Sequence, residues 1–218
     1  AQLTNWRRYL EWEEEQGNEA KIINLYERCL VPCCYYTEFW MMYTGYLERN
    51  GKITEAREVY KRAATMFLKN KPEFQVHYAL FEEAHGEIES ARAIHKSILQ
   101  KTPDLVEAII RYAAFERRQG NLAAATSCYD NGIQSVTEPK ANAFLMLHRA
   151  RFWKRIGDVE RARSAFQEAI TSHPNMKTVW EAAIWFEIEE SQKTADVGDD
   201  KLVQELFTRA SEASELSE

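Results

Sequence analysis

The sequence lacks any long apolar run. No stretch approaches the ~18 apolar residues that a membrane-spanning helix needs, and no secretory signal peptide is visible at the start. We therefore predict no membrane partner. The chain opens on Ala1, not Met, and runs directly into a repeat, so we expect it to be a piece of a longer protein.

Positive charge is also in short supply. The chain has 28 lysines and arginines against 34 aspartates and glutamates, a formal net charge of −6. Proteins that bind nucleic acid mainly through bulk electrostatics are usually basic. The composition therefore argues against this class.

The residue patterns of enzymes and metal sites are missing. There is no phosphate-binding glycine loop, no HExxH and no GxSxG, and the five histidines are scattered. The four cysteines have no second CxxC or histidine pair nearby, so we predict reduced, structural thiols; they are Cys29, Cys33, Cys34 and Cys128. We expect no enzyme activity, catalytic residue, cofactor or metal.

Glycine is scarce, yet five of the eight glycines are evenly spaced, at intervals of 34, 35, 34 and 37 residues: Gly17, Gly51, Gly86, Gly120 and Gly157. A ring lies five positions before each of them and another lies nine positions after it. A period of about 34 residues with a helix on either side of the glycine indicates a helical-hairpin repeat. We call the helix before the glycine helix A and the helix after it helix B.

This spacing predicts an all-α fold, a right-handed α-α superhelix of about six helical hairpins. We expect one solenoid domain over residues 1–218, with units at about 1–34, 35–70, 71–102, 103–138, 139–174 and 175–213. Prolines are predicted to separate one B helix from the next A helix. The sixth unit has a polar insertion, Ser191 to Val197, before its own turn glycine, Gly198.

Helix A carries aromatic residues in steps of three, and glutamate follows the last ring in four units: Glu13, Glu82, Glu116 and Glu187. The steps place the rings on one stripe of the helix. We interpret the glutamate as a structural anchor hydrogen-bonded within its repeat, to the arginine that follows the small residue of helix B. Most of the six tryptophans are expected in the core.

The 34-residue period resembles the tetratricopeptide repeat, which has tyrosine where this chain has the glutamate. Aromatic-aromatic-glutamate is instead the hallmark of the half-a-tetratricopeptide (HAT) repeat, so the chain is identified as a HAT/TPR-like solenoid. The runs Asn5–Glu13, Tyr26–Cys29 and Glu38–Trp40 further resemble the pre-mRNA-processing factor 39 family, as do Phe81–Arg92 and Glu116–Asn121.

This resemblance implies a function. It implies a non-enzymatic nuclear scaffold of pre-mRNA splicing, associated with the U1 small nuclear ribonucleoprotein (U1 snRNP) and supporting 5′ splice-site recognition through protein contacts. It also implies a homodimer, or a heterodimer with a paralogue, through C-terminal repeats. The alternatives are a HAT scaffold of mRNA 3′-end cleavage or ribosomal RNA processing, and direct RNA binding through a basic patch.

Unit five departs from the pattern and supplies that basic patch. It has Arg149 at a ring position and Trp153 in place of the glutamate. Its candidate contacts for RNA phosphates or an acidic partner are Arg149, Arg151, Lys154, Arg155 and Arg161; the alternative is solvated helix surface. The second candidate surface is the wall formed by the A helices, where repeat solenoids often bind a peptide or a helix.

Overall fold

The computed structural model describes the backbone of residues 2–194 and 199–215 and the side chains of residues 2–193 and 202–212. Within these ranges it contains helices and no strands. The helices are α1 (Gln2–Gln16), α2 (Glu19–Cys33), α3 (Thr37–Arg49), α4 (Ile53–Arg62), α5 (Pro72–Ala84), α6 (Ile88–Lys101), α7 (Val106–Arg118), α8 (Leu122–Ser135), α9 (Pro139–Ile156), α10 (Val159–Ser172), α11 (Lys177–Thr194) and α12 (Asp199–Glu215). One π-helical turn, Ala63–Phe67, follows α4.

Consecutive helices pair as hairpins, which confirms the predicted all-α hairpin-repeat fold. The chain divides into two compact units. Residues 1–101 hold the hairpins α1–α2, α3–α4 and α5–α6, and residues 102–218 hold α7–α8, α9–α10 and α11–α12. That the six hairpins form a single domain stays a prediction.

The five evenly spaced glycines end the A helices in the left-handed conformation, with φ between +71° and +88°. At Gly51 the glycine N–H donates to the carbonyl of Glu48 (3.0 Å), and the Lys52 N–H donates to that of Leu47 (2.9 Å). These bonds satisfy the last carbonyls of α3 and reverse the chain. The residue after Gly17 caps helix B: the Asn18 side chain accepts from the Lys21 N–H (3.2 Å).

The predicted helix ends are correct at some prolines and wrong at two places. Pro72 and Pro139 are the first residues of α5 and α9, as expected. Pro32 instead lies inside α2, one residue before its end. In the sixth unit α11 continues through Thr194, so the first part of the predicted insertion is helix, not turn. Residues 195–198, including Gly198, lie outside the described residues.

The core of each unit is built from rings that link a B helix to the following A helix. Tyr26 of α2 stacks on Tyr43 of α3 (centroids 4.9 Å apart), and Tyr60 of α4 stacks on Tyr78 of α5 (5.4 Å). Within residues 102–218, the ring of Tyr129 lies 5.5 Å from that of Phe152, and the ring of Phe166 lies 4.8 Å from that of Phe186. The predicted small residues of the B helices are fully buried beside these rings and allow close helix packing: Ala56, Ala91, Ala125 and Ala162.

The recurrent glutamates are buried, and two of them, Glu82 and Glu187, pair with an arginine of the neighbouring repeat. Arg57 of α4 donates through Nε to both carboxylate oxygens of Glu82 on α5, at 2.9 and 3.2 Å. Arg163 of α10 forms the equivalent pair with Glu187 on α11, at 2.8 and 2.9 Å. The expectation of a bond within one repeat was therefore wrong. Helix B of one hairpin packs against helix A of the next, which brings the two charges together.

The prediction that the tryptophans are mostly core is only partly correct. Trp40, Trp153 and Trp180 are buried, whereas Trp12 and Trp185 are 52% and 64% exposed. Trp185 immediately precedes the buried Phe186, so on a helix it faces away from the ring stripe. Its exposure marks a surface that the stripe does not account for.

Candidate protein-binding groove

The predicted basic island of unit five is divided among several environments in the structure. Arg149 is largely buried and bridges two helices, donating to Asp130 of α8 (2.9 Å) and pairing with Glu168 of α10. Lys154 pairs with Glu189 of α11. Arg161 pairs with Asp158 (3.3 Å) and lies 4.7 Å from the centre of the Trp153 ring. Much of the island's charge is therefore neutralised inside the protein.

Two of the five candidates remain exposed and have no ion-pair partner among the described side chains: Arg151 and Arg155. They lie on α9 on the side away from Arg149, because residues two and six positions along a helix are rotated by roughly 200° and 240°. The candidate contacts are thus divided between two sides of α9, and their binding of phosphate stays a prediction. One of the two exposed arginines, Arg151, also belongs to a second feature of this repeat.

That feature is a groove of about 730 Å³ between the A helices α9 and α11. Its walls follow the three-and-four spacing of a helix face. The lining comprises Lys140, Ala143, Phe144, Leu147 and Arg151 of α9, then Met176, Lys177, Thr178, Glu181, Ala182 and Trp185. The volume lies within the range of about 300–1,000 Å³ that is usual for binding sites.

The groove combines an apolar floor with a basic rim. Phe144 and Trp185 expose 48% and 64% of their surface, which is unusual for large rings in a protein that buries most others. The rim carries three cations and one carboxylate, and that carboxylate, Glu181, is 3.5 Å from Lys177. Neither Lys140 nor Arg151 has an ion-pair partner in the described part of the chain. The rim is therefore net positive.

His148 lies between Phe144 and Arg151 along α9, and its surroundings lower its pKa. Its ring lies 4.6 Å from that of Phe144 and is half-buried. Burial, followed by the charges of Arg151 and Arg155, lowers the pKa of the imidazole. Both effects disfavour the cationic form of histidine.

Of the candidate contacts predicted from the sequence, only Arg151 lines this groove. The A-helix wall was predicted as a binding face, and α9 and α11 are both A helices. Trp185 could have been found from its position beside the ring stripe instead of on it. Phe144 could not be singled out from the sequence in this way, because only the packing shows that about half of its surface is exposed.

Among the described residues there is no group of three or more histidine, cysteine or acidic side chains close enough to hold a metal ion. All four cysteines are free, and burial raises the pKa of the Cys29 and Cys128 thiols to about 12. No helix within the described ranges is both long and apolar enough to cross a membrane.

Comparison with known proteins agrees with the repeat pattern. The profile of the PRP39 C-terminal HAT repeat matches residues 1–118, and that of a tetratricopeptide repeat matches residues 145–175, which include two of the five residues of the groove's α9 wall. A solved structure, the C-terminal part of a TPR repeat-containing protein from Cytophaga hutchinsonii, covers 96% of this chain and 80% of its own. Its TM-score is 0.52 at 12% identity, a likeness of fold.

Curated relatives share more of the sequence. Pre-mRNA-processing factor 39 of Schizosaccharomyces pombe is 34% identical over 197 residues, covering 87% of this chain and 32% of the relative. The Homo sapiens protein of that name is 36% identical over 171 residues, covering 78% and 25%. The chain thus spans about a quarter to a third of these relatives. With more than half of its residues matched by the family profile, the chain belongs to the PRP39 C-terminal HAT repeat family.

Proposed function

We propose that this chain is a non-enzymatic, protein-binding scaffold of nuclear pre-mRNA splicing. Within that process we assign it to the U1 snRNP, where it supports 5′ splice-site recognition through contacts with protein subunits. The observation that carries the proposal is the family match over residues 1–118, together with relatives named as pre-mRNA-processing factors. A C-terminal pairing with a second copy or a paralogue forms part of the same proposal.

The surface chemistry supports protein contacts over direct RNA contacts. Three of the five candidate cations, Arg149, Lys154 and Arg161, are engaged by acidic side chains of the chain itself. A phosphate ligand would have to compete with those carboxylates for each cation. The groove between α9 and α11 offers an apolar surface instead, which is the kind of site that peptide segments and helices use.

The test is affinity capture from nuclear extract with the purified chain as bait, followed by identification of proteins and RNA. The matched control is the Cytophaga hutchinsonii repeat protein, because it shares the fold at only 12% identity. We expect U1 proteins to be enriched over this control, and RNase treatment of the captured material to leave them bound. Enrichment of mRNA 3′-cleavage or pre-ribosomal factors in their place would replace the proposal.

A further inference from the structure

We propose that the groove between α9 and α11 binds an acidic, amphipathic α-helix of a partner protein. The proposal rests on the scaffold function only in assigning the groove to a protein ligand. Three features of the groove define the partner: its exposed rings, the charge of its rim and its two helical walls, which offer no strand edge.

The exposed rings call for apolar anchors. Phe144 and Trp185 face the groove from opposite helices, and the floor between them is made of Ala143, Leu147 and Ala182. The two alanines leave room for a helix backbone to approach closely. Large, exposed aromatic side chains in a concave site are the usual centres of binding energy at protein interfaces. A partner with leucine- or isoleucine-sized anchors at i, i+3 or i+4, and i+7 fits this floor.

The rim calls for negative charge. Lys140 lies near the start of α9 and Arg151 eleven residues, or about three turns, further on. Lys177 adds a third cation, on α11, and forms an ion pair with Glu181. A binding segment must therefore carry carboxylates on the side of its apolar stripe that faces α9. Complementary charges of this kind speed association and fix orientation.

The lining also decides the conformation of the partner. Its polar side chains are three cations, Thr178 and Glu181, which pairs with Lys177. An extended peptide would leave its backbone N–H and C=O groups without partners here, and the described chain has no strand edge to pair with. A helix satisfies those groups internally, so it enters the groove without that penalty.

The same lining disfavours single-stranded RNA. Two rings and three cations could in principle stack bases and hold phosphates. However, the floor is aliphatic, and Glu181 places a carboxylate among the cations. RNA is therefore a competing outcome of the test and not part of the proposal.

The test uses the purified chain and a labelled amphipathic helical peptide of about 20 residues, long enough for helicity, with leucine anchors flanked by glutamates. Fluorescence anisotropy gives its affinity. We expect Trp185→Ala and Arg151→Glu each to weaken binding by about tenfold or more. Trp12→Ala, which removes another half-exposed tryptophan, and Arg111→Glu, which reverses an exposed arginine of α7, should leave the affinity within twofold of the wild-type value.

Three further ligands make the result decisive. A peptide with the glutamates replaced by lysines and one with the leucines replaced by serines should both lose binding. An oligouridine should not displace the acidic peptide. Equal binding of the lysine peptide, displacement by oligouridine, or no effect of Trp185→Ala would each overturn the proposal.

A fourth readout addresses a second copy as the occupant. If Trp185→Ala abolished self-association in sedimentation velocity while the peptide failed to bind, the groove would be a dimer contact and the proposal would be wrong. Failure of the peptide while nuclear U1 proteins are still captured would overturn this inference and leave the proposed function standing.

Discussion

Removing Arg57 should destabilise the protein far more than removing an exposed arginine. Glu82 is 1% exposed, and Arg57 donates to both of its carboxylate oxygens. Arg57→Met leaves this carboxylate buried without its cation, a change that costs about 3–5 kcal/mol when both partners are fully buried. The Arg57 side chain is 31% exposed, so water partly screens the loss. We therefore expect the free energy of unfolding to fall by roughly 2–3 kcal/mol.

A double-mutant cycle isolates the pair. Arg57→Met combined with Glu82→Leu removes both charges, and we expect it to recover most of the lost stability, to within about 1 kcal/mol of the wild-type value. Urea denaturation followed by circular dichroism measures each corner of the cycle. The control is Arg111→Met, which breaks the exposed Arg111–Glu107 pair and should cost less than about 0.5 kcal/mol. An Arg57→Met variant as stable as this control, or a double mutant as unstable as the sum of the single mutants, would refute the inter-repeat anchor.

Three other predictions follow from local structure. Gly51→Ala should lower the free energy of unfolding by about 1 kcal/mol, because φ at this position is +71°. Gly45→Ala should raise it by roughly as much, since a Cβ added in that helix meets only the end of the Arg49 side chain, at 3.4 Å. Urea denaturation measures both changes. Cys29 and Cys128, with thiol pKa values of about 12, should react with Ellman's reagent only after unfolding, and fast reaction of either in the native protein would contradict their burial. His148 has a lowered pKa in the folded state, so the unfolded chain takes up a proton first as the pH falls. The free energy of unfolding should therefore decrease below about pH 6.5. Urea denaturation at successive pH values should show a weaker pH dependence for His148→Gln.

Much of the fold was predictable because each repeat contains the residues that end its own helices. A glycine after helix A, with a ring at a fixed distance on either side, specifies a hairpin with little dependence on the rest of the chain. In the first repeat, this pattern predicts helices over Leu3–Gln16 and Glu19–Leu30. The observed α1 begins one residue earlier, and the observed α2 ends three residues later. The larger error, at Ser191–Thr194, arose because those residues tolerate a helix as well as a turn.

The candidate site was less predictable for a physical reason. A cluster of charges along the sequence is spread around a helix, since each residue turns it by about 100°. Arg149 and Arg151 are two positions apart, yet one is buried between carboxylates and the other lines a groove. The partner of a helix-B arginine depends likewise on which helices pack together. Spacing along the sequence does not show which helices pack together, so it does not predict that the arginine and the glutamate of a pair belong to neighbouring repeats.

The most direct test of the scaffold function is to compare binding of the chain to the intact U1 particle and to its RNA freed of protein. Fluorescence anisotropy at about 0.15 M salt gives both affinities. The protein-scaffold account predicts that the chain binds the particle and leaves the bare RNA unbound. Equal affinity for the bare RNA, with log K falling linearly with the logarithm of salt concentration, would contradict it and identify an RNA-binding protein.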